Sequence, residues 1–178
     1  MRVLLVCTAN QCRSPMAEFL LRQHVEQKGI DWQIMSAGTH AANGLEMHPK
    51  AQRLLRSRKL TPGSWRTRNL DQVSLLDQDL ILVASRAHRS FIVTEQPELL
   101  DRTYPLRQFA LLAERARATG MWSPGSGAAS LIDAVEVARG ELSAAPEAID
   151  LSDPVGQPYR RFRACAATID VAIRQMLG

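Results

Sequence analysis

Cysteine is scarce in this chain of 178 residues: three, at positions 7, 12 and 165. An odd number without a regular framework excludes a disulfide-stapled scaffold and points to reduced thiols. Lysine is equally scarce, with three residues, so arginine supplies almost all of the cations behind a net charge of +4. So mild an excess favours anionic partners in general and gives no reason to expect nucleic acid. Long apolar runs are missing. The stretch LILVA at 80–84 is far too short to span a bilayer. Residues 1–6 enter a strand pattern at once, without the layout of a signal peptide. No membrane insertion and a cytoplasmic location are the resulting expectations. The four histidines, 24, 40, 48 and 88, are scattered and never stand at zinc-ligand spacing with a cysteine, so no metal or cofactor is expected. No Gly-Lys-Ser/Thr follows the first strand, which excludes a nucleotide P-loop.

What is present is an alternation of strand and helix patterns. RVLLV at 2–6 is apolar enough for a strand buried on both faces. A helix follows, with Ser14 expected at its cap, Pro15 at its first position and Gly29 beyond its end. WQIMSAG at 32–38 predicts a second strand, DLILVAS at 79–85 a third and RTYPL at 102–106 a short fourth. Helices are expected over 48–58, 86–95, about 107–119, 130–141 and 159–177. GMWSPGSGAAS at 120–130 predicts a loop with room to move, and 141–158 another. The sum is one α/β domain over 1–178: a four-stranded parallel sheet flanked by helices, with an anion-binding loop after strand 1.

That loop lies in the stretch VCTANQCRSPMAE, at residues 6–18. In an open α/β sheet, ligands bind beyond the carboxyl ends of the strands. Cys7 is expected there. Residues 8–13 then lead into a helix N-terminus, where backbone N–H groups and the helix dipole favour an anion. The same field stabilises a thiolate. Arg13 offers a planar fork that matches two phosphoryl oxygens. A thiolate at the bottom of a phosphate cradle is a nucleophile aimed at phosphorus. The bland alternative is a buried cysteine that ends a strand beside a solvated arginine.

With those residues in view, the sequence resembles the low-molecular-weight protein tyrosine phosphatases. The resemblance continues through SAGTHA at 36–41, DLILVASRAH at 79–88 and DPVGQP at 153–158. It implies a bacterial, signalling-type hydrolase that acts on a phosphorylated protein through a cysteinyl-phosphate and releases inorganic phosphate. It implies Cys7 as nucleophile and Thr8, Ala9, Asn10, Gln11, Cys12, Arg13 and Ser14 as the phosphate-binding loop, with Asn10 and Ser14 bracing it. Asp153 falls where the family keeps the acid that protonates the leaving group. Cys12 matches a second loop cysteine able to form a disulfide with Cys7; read by itself it is a small core filler.

Several positions depart from the pattern. Ala9 stands where the family usually has Gly, which matters if the backbone there needs a positive φ. Trp65 stands where a supporting His is common. Gln11, Ala42 and Val155 occupy rim positions that are often apolar or aromatic. The Asp-Pro-x-Gly pattern and AANG look more like the branch that includes protein-arginine phosphatases. From the resemblance as a whole, phosphotyrosine is the expected substrate and phosphoarginine the alternative. A thiol-dependent arsenate reductase needs a further cysteine relay, and Cys165 is better explained as a core residue. A silent anion-binding module would have no need of Cys7, Arg13 and Asp153 together. Oligomeric state and the role of 120–150 are not legible.

Overall fold

The computed structural model describes residues 1–124, 126–141 and 149–178. Four parallel strands, β1 (Arg2–Cys7), β2 (Gln33–Gly38), β3 (Leu80–Val83) and β4 (Thr103–Pro105), form one sheet in the order β2-β1-β3-β4. Six α-helices accompany it: α1 (Arg13–Gln27), α2 (Pro49–Ser57), α3 (Arg86–Glu95), α4 (Leu106–Ala118), α5 (Ala128–Glu141) and α6 (Tyr159–Leu177). The α/β class and the four-stranded parallel sheet agree with the sequence pattern.

Strand burial explains why β1 reads as an unbroken apolar run. Val3 and Leu5 pack into the larger core with α1, α4, α5 and α6, whereas Leu4 and Val6 face a smaller core with Ile92 and Leu99. Both faces are covered, so all four side chains are 0–2% exposed. Truncating any of them to Ala removes transfer energy and leaves a void, about 2–5 kcal/mol.

Helix ends follow local chemistry, with one correction. Gly29 has φ 65° just past α1; its N–H donates to Glu26 O and the N–H of Ile30 to Val25 O, the paired closure that a left-handed residue allows. The start of α1 differs from expectation. Arg13 is its first residue and Cys12 sits at the cap without a side-chain cap bond, so neither Ser14 nor Pro15 has the role predicted for it. The Ser14 hydroxyl is turned inward to other partners, described below. Helix α5 begins two residues earlier than the pattern suggested, within the stretch read as loop. The preceding turn is anchored, because Trp122 is buried in the main core and its N–H joins the end of α4 at Ala116 O. The loop expected over 141–158 lies outside the described residues at 142–148. No helix among the described residues is long and apolar enough to cross a membrane.

Candidate active site

The strand order reverses direction at β1, and the crevice between β1 and β3 is where such sheets bind ligands. Cys7 is the last residue of β1, with 2% exposure. The chain then turns through residues 8–12 into α1. Among the described residues, no backbone N–H from Thr8 to Cys12 finds an acceptor within the protein. Five successive free donors at the mouth of a helix form an anion nest.

Gly38 lets the loop sit where it does. A Cβ there would stand 2.5 Å from Thr8 O and 2.7 Å from Asn10 N, an impossible approach to backbone. The loop is further held by the N–H groups of Thr39 and His40, which donate to Cys7 O and Thr8 O, each at 2.9 Å.

Asn10 takes the strained conformation in the loop, with φ 52°. Ala9 is not among the positive-φ residues, so its departure from Gly costs the backbone nothing of that kind. Asn is among the side chains that tolerate the left-handed region, and here its amide is fully engaged. Its Nδ2 donates to Ser14 Oγ and Ser36 Oγ, both at 2.9 Å, and Oδ1 accepts the N–H of Arg68 at 2.9 Å.

Ser14 Oγ lies 3.0 Å from Cys7 Sγ and 3.2 Å from Ala37 O. A hydroxyl has one proton to give. With a protonated Cys7, the thiol can donate to Ser14 and Ser14 to Ala37 O. With a thiolate, Ser14 swings its proton to sulfur. The arrangement accommodates both states without moving a heavy atom.

Behind this layer lies a buried carboxylate that sequence reasoning missed. Glu18, 3% exposed on α1, accepts the Ser36 hydroxyl at 2.5 Å and the Trp65 indole N–H at 3.1 Å, and pairs with Arg22 at 2.7 Å. A chain of bonds thus runs Trp65–Glu18–Ser36–Asn10–Ser14–Cys7. Trp65, flagged as a departure, is a working donor in it. The sequence signal for Glu18 is a lone charge inside the apolar stretch PMAEFLL at 15–21, which the fold buries almost all round.

Arg13 is 7% exposed, and its Nη2 lies 2.6 Å from Asp153 Oδ2, which joins residues 140 positions apart. Nη2 also donates to Thr8 Oγ1 at 3.3 Å. Its Nε is buried with no partner among the described residues. A buried, unsatisfied guanidinium N–H costs free energy unless a ligand accepts from it. Asp153 is delivered by its own local turn. Its Oδ1 accepts the N–H of Val155 at 3.1 Å, the N–H of Gln157 bonds Pro154 O, and Gly156 supplies the φ of 75°. The turn is tied to the sheet by Leu151 N–H to Ala84 O, and to α3 by Arg86 N–H to Asp150.

The chain belongs to the low molecular weight phosphotyrosine protein phosphatase family, whose pattern matches residues 2–124. Relatives within this phosphatase family differ in their named substrates. A protein-arginine-phosphatase of Geobacillus stearothermophilus is 34% identical over 108 residues, which span 61% of this chain and 70% of that protein. A low molecular weight protein-tyrosine-phosphatase of Acinetobacter johnsonii is 34% identical over 104 residues, 58% of this chain and 70% of that one. Among solved structures, the arginine phosphatase YwlE of G. stearothermophilus superposes with a TM-score of 0.70 at 26% identity, covering 99% of this chain and 90% of its own. The family match stops before Asp153, which the 2.6 Å contact with Arg13 brings beside the loop.

His88 is the other residue that the motif reading passed over, although it closes the quoted stretch DLILVASRAH. It sits on α3, 8% exposed. Its Nε2 is 2.9 Å from Thr8 Oγ1 and its Nδ1 is 2.6 Å from Ser85 Oγ. Burial, with Arg13 adding to it, lowers its pKa to about 4, so the ring is neutral at physiological pH. A neutral ring has one N–H and one lone pair, which suits two hydroxyl neighbours. Cys12 and Cys165 are buried thiols whose pKa values burial pushes up to about 12. Cys165 packs in the core as expected; it also lines a cavity of about 410 Å³ that holds Asp153, Pro154 and Gln157.

Proposed function

We propose that the protein hydrolyses phosphorylated protein by nucleophilic attack of Cys7 on phosphorus. The observation that carries this is the coincidence, around one thiol, of five unpartnered loop amides and a buried arginine with an unsatisfied Nε. Thr8, Ala9, Asn10, Gln11, Cys12, Arg13 and Ser14 form the phosphate-binding loop in this reading. Cys7 Sγ displaces the leaving oxygen in line and forms a cysteinyl-phosphate. The loop amides and Arg13 hold the three equatorial oxygens as charge builds on them. Asp153 protonates the leaving group, then accepts a proton from the water that splits the S–P bond, returning thiolate and inorganic phosphate. No metal or cofactor takes part in these steps.

The Arg13–Asp153 contact assigns an order to events. With the site free, the carboxylate uses the guanidinium as its partner. A phosphoryl group that takes over Arg13 releases Asp153, whose carboxylate, no longer held by the guanidinium, takes up a proton from solvent and swings toward the leaving atom. Phosphotyrosine is the substrate we favour. The His40–Phe91 ring pair, centroids 5.4 Å apart and tilted by 57°, stands beside the loop through the bond from His40 N–H to Thr8 O, and offers exposed aromatic surface to a phenyl ring. Phosphoarginine is the second reading. Gln11 is half-buried in the loop, and its side-chain amide makes no hydrogen bond among the described residues, so its carbonyl is free for a guanidinium N–H. A nucleophile that must stay a free thiolate suits a reducing, cytoplasmic setting. Rates on matched phosphotyrosine and phosphoarginine peptides, for wild type and Cys7→Ser, test the reading. Turnover by the serine variant above about a hundredth of wild type would remove Cys7 from the role.

A further inference from the structure

Helices α2 and α6 run side by side in the same direction. Lys50 Nζ donates to Gln157 O at 2.8 Å, Arg53 stacks over the Tyr159 ring at 4.5 Å, and Arg58 reaches Asp170 at 3.6 Å. Between them lies a groove of about 810 Å³ lined by Arg53, Arg58, Tyr159, Arg160 and Arg163, together with the buried Leu54 and the small residues Ser57 and Ala164. No carboxylate lines it. Arg58 is paired with Asp170, but Arg53, Arg160 and Arg163 have no carboxylate within 4.0 Å among the described residues.

This charge is placed against the interest of the fold. Arg160 and Arg161 occupy the first turn of α6 and Lys50 that of α2, and neither first turn holds an acidic residue. Cations there oppose the helix dipole, an arrangement that weakens a helix. The groove also adjoins the cavity beside Asp153. Tyr159 follows directly on the turn 153–158 that carries Asp153, and Ala164 lines both this groove and the cavity beside Asp153.

We propose that the α2–α6 groove binds an acidic segment of the phosphoprotein substrate, a few residues from the phosphorylated side chain. The proposal rests on the phosphatase reading. Charge complementarity names the occupant: three unpaired guanidinium groups match carboxylates. The helix from Tyr159 to Ala167 rises about 12 Å, which an extended peptide covers in about four residues. The arginines would therefore read Asp or Glu in a short window on one flank, with Tyr159 holding Arg53 in place by its ring face.

The test compares wild type with Arg160→Ser/Arg163→Ser, both exposed positions outside the catalytic loop. Three substrates are used: p-nitrophenyl phosphate, a phosphopeptide with Asp/Glu on one flank, and the same peptide with Ser there. Wild type should prefer the acidic peptide by about tenfold in kcat/KM, through KM. The preference should collapse between about 0.01 M and about 1 M salt, as the screening length falls from about 30 Å to about 3 Å. The double variant should lose the preference and keep its rate on p-nitrophenyl phosphate. Equal rates of wild type on both peptides, or a preference retained by the variant, would overturn the proposal. So would binding of a single-stranded oligonucleotide more tightly than an acidic peptide of equal charge, if the double substitution abolished it. Failure of wild type on all three substrates would instead sink the phosphatase reading itself.

Discussion

Replacing Asp153 by Asn separates two consequences of the 2.6 Å contact between its carboxylate and Arg13. The first is chemical. An amide cannot deliver a proton, so a leaving group that needs one suffers. Phenyl phosphate hydrolysis should slow by about 10²–10⁴-fold, the usual worth of a positioned general acid. p-Nitrophenolate leaves well without help, and its rate should fall much less. The second consequence is electrostatic and has the opposite sign. Arg13 is 8% exposed in its side chain and Asp153 47%, so this is an ion pair open to water on one side. Such pairs are worth about 0.2–1 kcal/mol. An incoming oxyanion must break this one before it can claim Nη2. Asp153→Asn should therefore tighten vanadate or phosphate binding by up to about fivefold, the equivalent of about 1 kcal/mol. The assay is a pair of measurements on one variant: kcat on the two aryl phosphates, and Ki for vanadate. Equal losses on both substrates would take Asp153 out of the acid role. Weaker vanadate binding would show that the contact assists the anion, contrary to the order of events proposed above.

Three further outcomes are expected. Mild peroxide should inactivate the enzyme by oxidising Cys7, because burial holds the Cys12 and Cys165 thiols protonated with pKa values near 12; recovery with dithiothreitol should drop in Cys12→Ser and persist in Cys165→Ser, and recovery unchanged in Cys12→Ser would leave Cys12 a packing residue. Gly38→Ala should abolish turnover and lower Tm, since its methyl group would lie within 2.7 Å of loop backbone at two points; a variant that kept wild-type kcat would contradict the tight seat assigned to the loop. His88 binds fewer protons folded than unfolded between its folded pKa of about 4 and its ordinary 6.5, so stability should fall as pH drops through that window; thermal melts of His88→Gln should show a flatter dependence there, and an identical slope would move the titration to other groups.

Much of the site was legible because strand ends and helix starts leave marks at short range. The apolar run that stops at Cys7, and the Asp-Pro-x-Gly turn, are local patterns with local causes. The part that was misread was also local. Ser14 and Pro15 have the composition of a helix start, yet Ser14 Oγ is drawn to Cys7, Asn10 and Ala37, and the cap passes to Cys12 without a cap bond. Helix chemistry alone favours Ser at a cap by about 1 kcal/mol, and a buried hydroxyl serving three partners outweighs it. What the sequence concealed were the supporting side-chain contacts between distant elements: His88 against Thr8, 80 residues away, and Trp65 against Glu18, 47 residues away.

Those distant contacts explain why Trp65 can stand where a histidine is common. The position needs a ring N–H that reaches a buried carboxylate. Indole Nε1 provides it at 3.1 Å, and indole, unlike imidazole, keeps the same single N–H and no charge at every pH. The exchange makes the support behind the loop insensitive to protonation on that side. On the opposite side, His88 is kept neutral by burial and holds Thr8 through a ring nitrogen. The loop is thus flanked by two aromatic donors or acceptors whose states do not change across the physiological range, and in the proposed mechanism the proton transfers fall to Cys7, Ser14 and Asp153. A variant that restores a titratable ring, Trp65→His, tests this. It should keep activity near neutral pH, where imidazole can still donate, and add a new pH dependence in kcat that wild type lacks. A pH profile identical to wild type would mean that the Trp65–Glu18 bond does not reach the loop.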